Sequence, residues 1–167
     1  SFDDCQALVK SAYKECKGFN LSTANSINLG RLLPQMIYYA YTAFHFYHEH
    51  EQEAGFIIPS GNLGNITAAY WAKEIGFPIR EIAMATNENK VMTDYKQTGE
   101  FSPRKSLATH ANAMDVGNPS NFERLKTLFK TSENFVKNLN VTSVSDKDIE
   151  TTIKDVSKQY DEVICPH

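Results

Sequence analysis

Residues 55–78 read GFIIPSGNLGNITAAYWAKEIGFP, and the middle of this stretch decides the fold. An apolar run, Phe56-Ile57-Ile58, enters it, and a helix-like run from Ile66 to Ile75 leaves it. Between them lies Gly61-Asn62-Leu63-Gly64-Asn65, with two glycines and two amides where a plain turn would do. The pattern predicts a short buried strand over 56–58 and a helix over 65–74, closed by Gly76 with Pro78 beyond. A second strand is expected over 81–85. Strand, helix and strand in about thirty residues make a βαβ unit, with parallel strands and a right-handed crossover. The expected class is therefore α/β: three layers, with a mainly parallel sheet flanked by helices.

A helix start leaves unpaired backbone N–H groups and a partial positive charge, so an anion is its natural partner. Glycines let backbone approach that anion, because no Cβ intervenes. Ser60, Asn62 and Asn65 add side-chain hydrogen bonds. The loop thus reads as a phosphate cradle, or as a tight connection whose asparagines only cap the helix. It matches neither GxGxxG nor GxxxxGK[ST], so neither a dinucleotide fingerprint nor a P-loop is present. In a parallel sheet the ends of both strands point to one edge. Loop 60–65 and the polar turn Thr86-Asn87-Glu88-Asn89 should meet there, where open α/β sheets bind ligands.

Outward from this core, residues 3–17 read as a helix capped by Asp3 or Asp4 and stopped by Gly18. A long apolar helix is expected from about Ile27 to His48, kinked or restarted at Pro34. It is apolar nearly all round, which predicts burial between layers. Glu88 to Lys96 reads as a helix closed by Gly99. Asn118-Pro119 reads as the start of another, with Phe122, Leu125, Leu128 and Phe129 on one face. Residues 131–145 give no clear assignment. Ser145-Asp146-Lys147-Asp148 resembles a capping box for a helix reaching about residue 160, and Val163-Ile164-Cys165 reads as a last strand.

The chain has 167 residues, 41% hydrophobic and 22% charged, with a formal charge of −3. That supports one sizeable core and gives no electrostatic case for nucleic acid or an anionic membrane. The apolar stretch over 32–47 holds Pro34, Gln35 and His45 and is too short for a bilayer span. Ser1-Phe2-Asp3-Asp4 has neither the basic leader nor the apolar core of a secretory signal. Cys5, Cys16 and Cys165 form no CxxC pair, so free thiols in a reducing cytosol are expected. His45, His48 and His50 with Glu49, Glu51 and Glu53 suit a solvated helix end better than a metal site. Tyr38, Tyr39, Tyr41, Phe44, Phe46 and Tyr47 make an aromatic stripe for packing, since no basic residues interleave them for base stacking. Asp115, Glu123 and Arg124 read as structural.

Four segments, NSINLGRLLPQMIYYAY, IPSGNLGNITAAYWAKEIGFPI, ATNENK and NAMDVGNPSNFERL, resemble the threonine synthase family in sequence and in order. TANSIN and SGNLGN together carry most of the specificity, and the likeness is weakest between residues 126 and 160. The resemblance implies a pyridoxal-phosphate enzyme of the tryptophan-synthase-like fold. Its reaction would convert O-phosphohomoserine and water to threonine and phosphate, in the cytoplasm. It implies that Ser60, Gly61, Asn62, Leu63, Gly64 and Asn65 hold the cofactor phosphate, and that Asn25, Ser26, Asn28 and Arg31 face the substrate. Residues 1–24 would be the tail of a small domain and 25–167 most of the large cofactor domain.

The family's Schiff-base lysine lies in a Phe-Lys-Asp segment, and this chain has none. Lys147-Asp148 and Lys154-Asp155 lie on an amphipathic helix and receive no catalytic role. The group contacting the pyridine nitrogen is expected beyond His167. The expectation is an excised piece of a longer enzyme, inactive alone and prone to self-association through exposed apolar faces. The rival readings are another pyridoxal-phosphate lyase, such as a dehydratase, and a non-catalytic phosphate-binding module.

Overall fold

The computed structural model describes residues 2–167. Strands β1 (Ala54–Pro59), β2 (Ile79–Thr86) and β3 (Asn140–Ser143) form a parallel sheet in the order β1-β2-β3. In register, Ile58 lies beside Met84 and Pro59 beside Ala85. Helix α4 (Gly64–Glu74) crosses from β1 to β2, completing the expected βαβ unit. Its Ala68, Ala69 and Ala72 are fully buried, which brings the helix axis close to the sheet. Ile58, Ile82 and Met84 alternate onto one buried face, whereas Ile57, pointing the other way, is 79% exposed.

The second crossover runs from β2 through α5 (Val91–Thr98), α6 (Phe122–Phe129) and α7 (Ser132–Asn138) to β3. Helix α5 starts later than the expected Glu88, because Asn87 first closes an Asx turn onto the Asn89 amide at 3.0 Å. Gly99, at φ 72°, ends the helix as expected. Tyr95, Phe101, Phe122, Phe129 and Phe135 then form an aromatic core, with Phe101 and Phe122 stacked at 3.6 Å. The Tyr95 hydroxyl in this core is buried with no hydrogen-bond partner among the described residues. Tyr95→Phe should therefore leave stability unchanged or raise it by up to about 1 kcal/mol, since it deletes a desolvated, unpaired group. A urea midpoint that falls by the equivalent of more than about 1 kcal/mol would contradict this.

Three further expectations need correction. Pro34 does restart the long helix: α2 (Leu29–Leu32), a 3₁₀ turn (Leu33–Gln35) and α3 (Met36–His50) follow one another. Burial all round is not found, however. Tyr39 and Ala43 are buried, but Ile37, Tyr38, Tyr41 and Phe44 are each more than half exposed, because α3 packs on α4 and β1 by a single stripe. The helix after Asn118-Pro119 begins at Phe122, since residues 118–121 form a turn closed by Phe122 N–H to the Pro119 carbonyl at 3.1 Å. Residues 131–145 resolve into α7, capped by the Thr131 hydroxyl, and the short β3. Val163-Ile164-Cys165 forms no strand; among the described residues it has no ladder partner.

Two terminal helices complete the fold, α1 (Phe2–Glu15) and α8 (Asp146–Tyr160). Ser145 caps α8 as its sequence predicts, its hydroxyl accepting from Asp148 N–H at 3.2 Å. His110 reaches Glu150 of α8 at 2.8 Å, and that hydrogen bond raises the imidazole pKa and lowers that of the carboxylate. All three cysteines are exposed thiols. Among the described residues, no helix is long and apolar enough to cross a membrane.

Candidate functional site

The parallel ladder continues one residue past β1, with Ser60 N–H bonded to the Ala85 carbonyl at 2.9 Å. The chain then turns sharply. Leu63 takes the left-handed conformation, at φ 62°, and α4 begins at Gly64. Thr67 is the first residue of α4 whose amide finds a backbone acceptor, Leu63 O at 3.1 Å. Among the described residues, none of the amides from Gly61 to Ile66 has a hydrogen-bond acceptor, and no side chain caps the helix. Beside them the Ser60 hydroxyl is buried and unpartnered. A row of unused donors at a positive helix end, with an orphaned hydroxyl, has the chemistry of an anion site. These groups fit a phosphate.

The glycines have a second purpose that the sequence conceals. A Cβ on Gly61 would lie 2.7 Å from Met114 Cα, and one on Gly64 would lie 3.2 Å from Ser26 Cβ. Both glycines thus admit neighbouring chain as well as leaving amides bare. The segment over Gly61 is itself pinned. Asp115 Oδ1 accepts from Asn87 Nδ2 at 2.8 Å, Asn89 Nδ2 at 3.2 Å and the Thr109 hydroxyl at 2.7 Å. The polar turn 86–89 therefore does reach the same edge as the loop, where its asparagines hold residues 107–115 in place.

Asn62 is a clamp, and its side chain is not left for a ligand. Its Oδ1 accepts from Ser120 N–H at 2.8 Å, Ser120 Oγ at 3.0 Å and Gln6 Nε2 at 3.2 Å. Its Nδ2 donates to the Ser26 hydroxyl, and its carbonyl accepts from Asn121 Nδ2 at 2.8 Å. Its backbone N–H has no acceptor among the described residues. Asn65 accepts from the hydroxyl of Tyr39, a phenol whose pKa burial pushes up to about 12. Arg124 braces the same region from beneath, donating to the Ile27 carbonyl at 2.6 Å, the Ser26 carbonyl at 3.3 Å and Asn121 Oδ1. Burial lowers its pKa.

The four residues expected to face substrate divide. Ser26 touches the loop through Asn62. Arg31 and Asn65 line one small cavity of about 490 Å³, with Gly30 and Tyr38, though Arg31 also donates to the Ala24 carbonyl. Asn25 and Asn28 are engaged locally: Asn25 Oδ1 accepts from Ile27 N–H at 2.9 Å, and Asn28 caps α2 through Gly30 N–H at 2.9 Å.

No protein-family model matches the chain. Individual proteins do. Threonine synthase of Buchnera aphidicola (subsp. Acyrthosiphon pisum) is 40% identical over 163 residues, covering 95% of this chain and 38% of the relative. The Escherichia coli threonine synthase crystal structure superimposes with a TM-score of 0.89 at 34% identity, over 100% of this chain and 40% of that one. The chain belongs to the threonine synthase family. A pyridoxal-phosphate-bound threonine synthase from Brucella melitensis also matches all of it, at TM-score 0.85 and 28% identity, over 42% of that chain. The chain thus spans about 40% of the length of these threonine synthases. Within this threonine synthase segment, the sequence reading found the loop but missed Gln6, Tyr39, Ser120, Asn121 and Arg124, which fix its shape. The run Asn118-Pro-Ser-Asn121 was the available signal, and it reads locally as nothing more than a helix start.

Proposed function

We propose that this chain is the cofactor-phosphate portion of a threonine synthase acting on O-phosphohomoserine and water. The observation that carries this is the row of amides from Gly61 to Ile66 without acceptors, next to the buried, unpartnered Ser60 hydroxyl. These donors would hold the phosphate of pyridoxal phosphate, whose ring supplies an electron sink when bound. Leu63, buried in its left-handed turn, fixes where the loop reverses and aims the amides. Ser26 and Arg31 would orient the substrate, Arg31 as a forked donor suited to its phosphate. Asn25 and Asn28 would shape that side by holding its turn.

The reactive lysine would come from outside these residues, so the chain alone should make no threonine. We assign residues 1–24 to the tail of a small domain and 25–167 to most of the large cofactor domain. The protein would work in the cytoplasm, and the chain alone would self-associate through the exposed side of α3. Pyridoxine 5′-phosphate is the useful probe, because it keeps the phosphate but has no aldehyde to react with surface lysines. In a ¹⁵N NMR titration, the amides of residues 61–66 should shift with it and not with pyridoxine. Equal shifts with both compounds, or shifts only elsewhere, would defeat the reading.

A further inference from the structure

A broad cavity lies at the other end of the sheet from the candidate loop. The first residues of β2 and β3 open onto it, and its volume is about 860 Å³. Lys73, Arg80, Lys96, Lys130 and Lys137 line it, brought there by α4, β2, α5, the end of α6 and α7. Only two carboxylates, Glu74 and Glu81, line it with them. The lining therefore carries three net positive charges in a chain whose formal charge is −3.

The cations are not neutralised, and two of them are held in place. Among the described residues, none of the five is ion-paired with a carboxylate. Glu81 accepts instead from Asn140 Nδ2, at 2.9 Å. Lys73 Nζ is anchored on the Arg80 carbonyl at 2.6 Å and Lys96 Nζ on the Val136 carbonyl at 2.5 Å. A carbonyl takes one proton of each ammonium and no charge, leaving two donors per lysine. Lys130 has a positive φ of 65°, where a glycine would be unstrained. Tyr70 and Phe129 meet edge to face at 5.1 Å in the wall. Burial pushes the Tyr70 phenol up to about 12, so it adds no negative charge.

We propose that this cavity is a second anion site, for a small ligand carrying two or more linked phosphates. A single phosphate would meet one or two of the cations. Five spread over five elements match a chain of charges, and lysine serves phosphate as a point charge. The proposal is independent of residues 60–66 and stands if the cofactor reading falls.

The test is a ¹⁵N NMR titration of the chain with inorganic tripolyphosphate at about 0.15 M salt, where exposed charges are screened beyond about 8 Å. Shifts are expected at residues 80–82 and 130–141, with a Kd at least about tenfold below that of orthophosphate. The double variant Lys130→Gln, Lys137→Gln should weaken tripolyphosphate by about tenfold or more while the 61–66 amides keep their response to pyridoxine 5′-phosphate. Arg80→Gln, on a different element, should weaken it too, which guards against a local fold defect in the double variant. Adenosine triphosphate distinguishes the source: tighter binding than tripolyphosphate assigns a nucleotide, and equal binding assigns the phosphates alone. Shifts confined to 61–66, or equal binding of tripolyphosphate and orthophosphate unaffected by either variant, would overturn the proposal.

Discussion

Gly117→Ala should cost this protein more than about 3 kcal/mol of stability, the largest loss expected from any single added methyl group. A Cβ at this position would lie 1.8 Å from the Arg104 carbonyl oxygen, and 2.9 Å from both Arg104 C and Ser106 N. All three are backbone atoms, so no rotamer change relieves the clash. Separating the two segments would break the bond from Arg104 N–H to the Gly117 carbonyl, 3.0 Å long. It would also disturb Gly117 N–H, which donates to Asp3 Oδ2 at 3.1 Å and ties α1 to this loop. The damage should reach the candidate site, because Met114, three residues away, lies against Gly61. Gly18→Ala is the control: nothing lies within 4 Å of its added Cβ, and it should change stability by no more than about 0.5 kcal/mol. Urea unfolding of the two variants decides the matter, and a Gly117→Ala protein within about 1 kcal/mol of the parent would show that segment 104–117 is not held as described.

What could be read from the sequence follows the range of the interactions that determine each element. β1, α4 and β2 were legible because strand and helix periodicities are local, and Gly76 and Pro78 punctuate them. Pro34 and Ser145 were legible for the same reason. β3 was not: Asn140-Val141-Thr142-Ser143 holds one strongly apolar residue, and its strand state comes from pairing with β2. Val163-Ile164-Cys165 fails in the opposite direction, with strand-like residues and no ladder to join. The outer face of α3 has the composition of a core, yet no partner for it lies in the described residues packed on that helix. At the site, bare amides follow from a glycine-rich helix start and were foreseeable. The clamp was not, since Gln6 and Asn62 are 56 residues apart and Ser26 and Arg124 are 98 apart. A polar pair at such a distance leaves no periodicity in a single sequence.

Asn62 offers a way to separate the fold of the loop from its chemistry. Asn62→Ala strips the acceptor from Ser120 N–H, the Ser120 hydroxyl and Gln6, and takes the donor away from Ser26. Several part-buried groups would be left unpaired, and the expected loss is about 2–4 kcal/mol. Asn62→Asp keeps an oxygen where Ser120 and Gln6 donate, and the Ser26 hydroxyl can rotate to donate to the second oxygen. Its stability should stay within about 1.5 kcal/mol of the parent. The new charge, however, would sit in the same loop as the amides that hold the anion; for two unit charges roughly 5 Å apart at an effective dielectric of about 20, repulsion is about 3 kcal/mol. Binding of pyridoxine 5′-phosphate should therefore weaken by about a hundredfold while the protein stays folded. The two variants must come apart: one loses stability, the other loses the anion. If Asn62→Asp binds as the parent does, the phosphate does not lie at those amides, and if Asn62→Ala is as stable as the parent, the clamp around Asn62 holds nothing together.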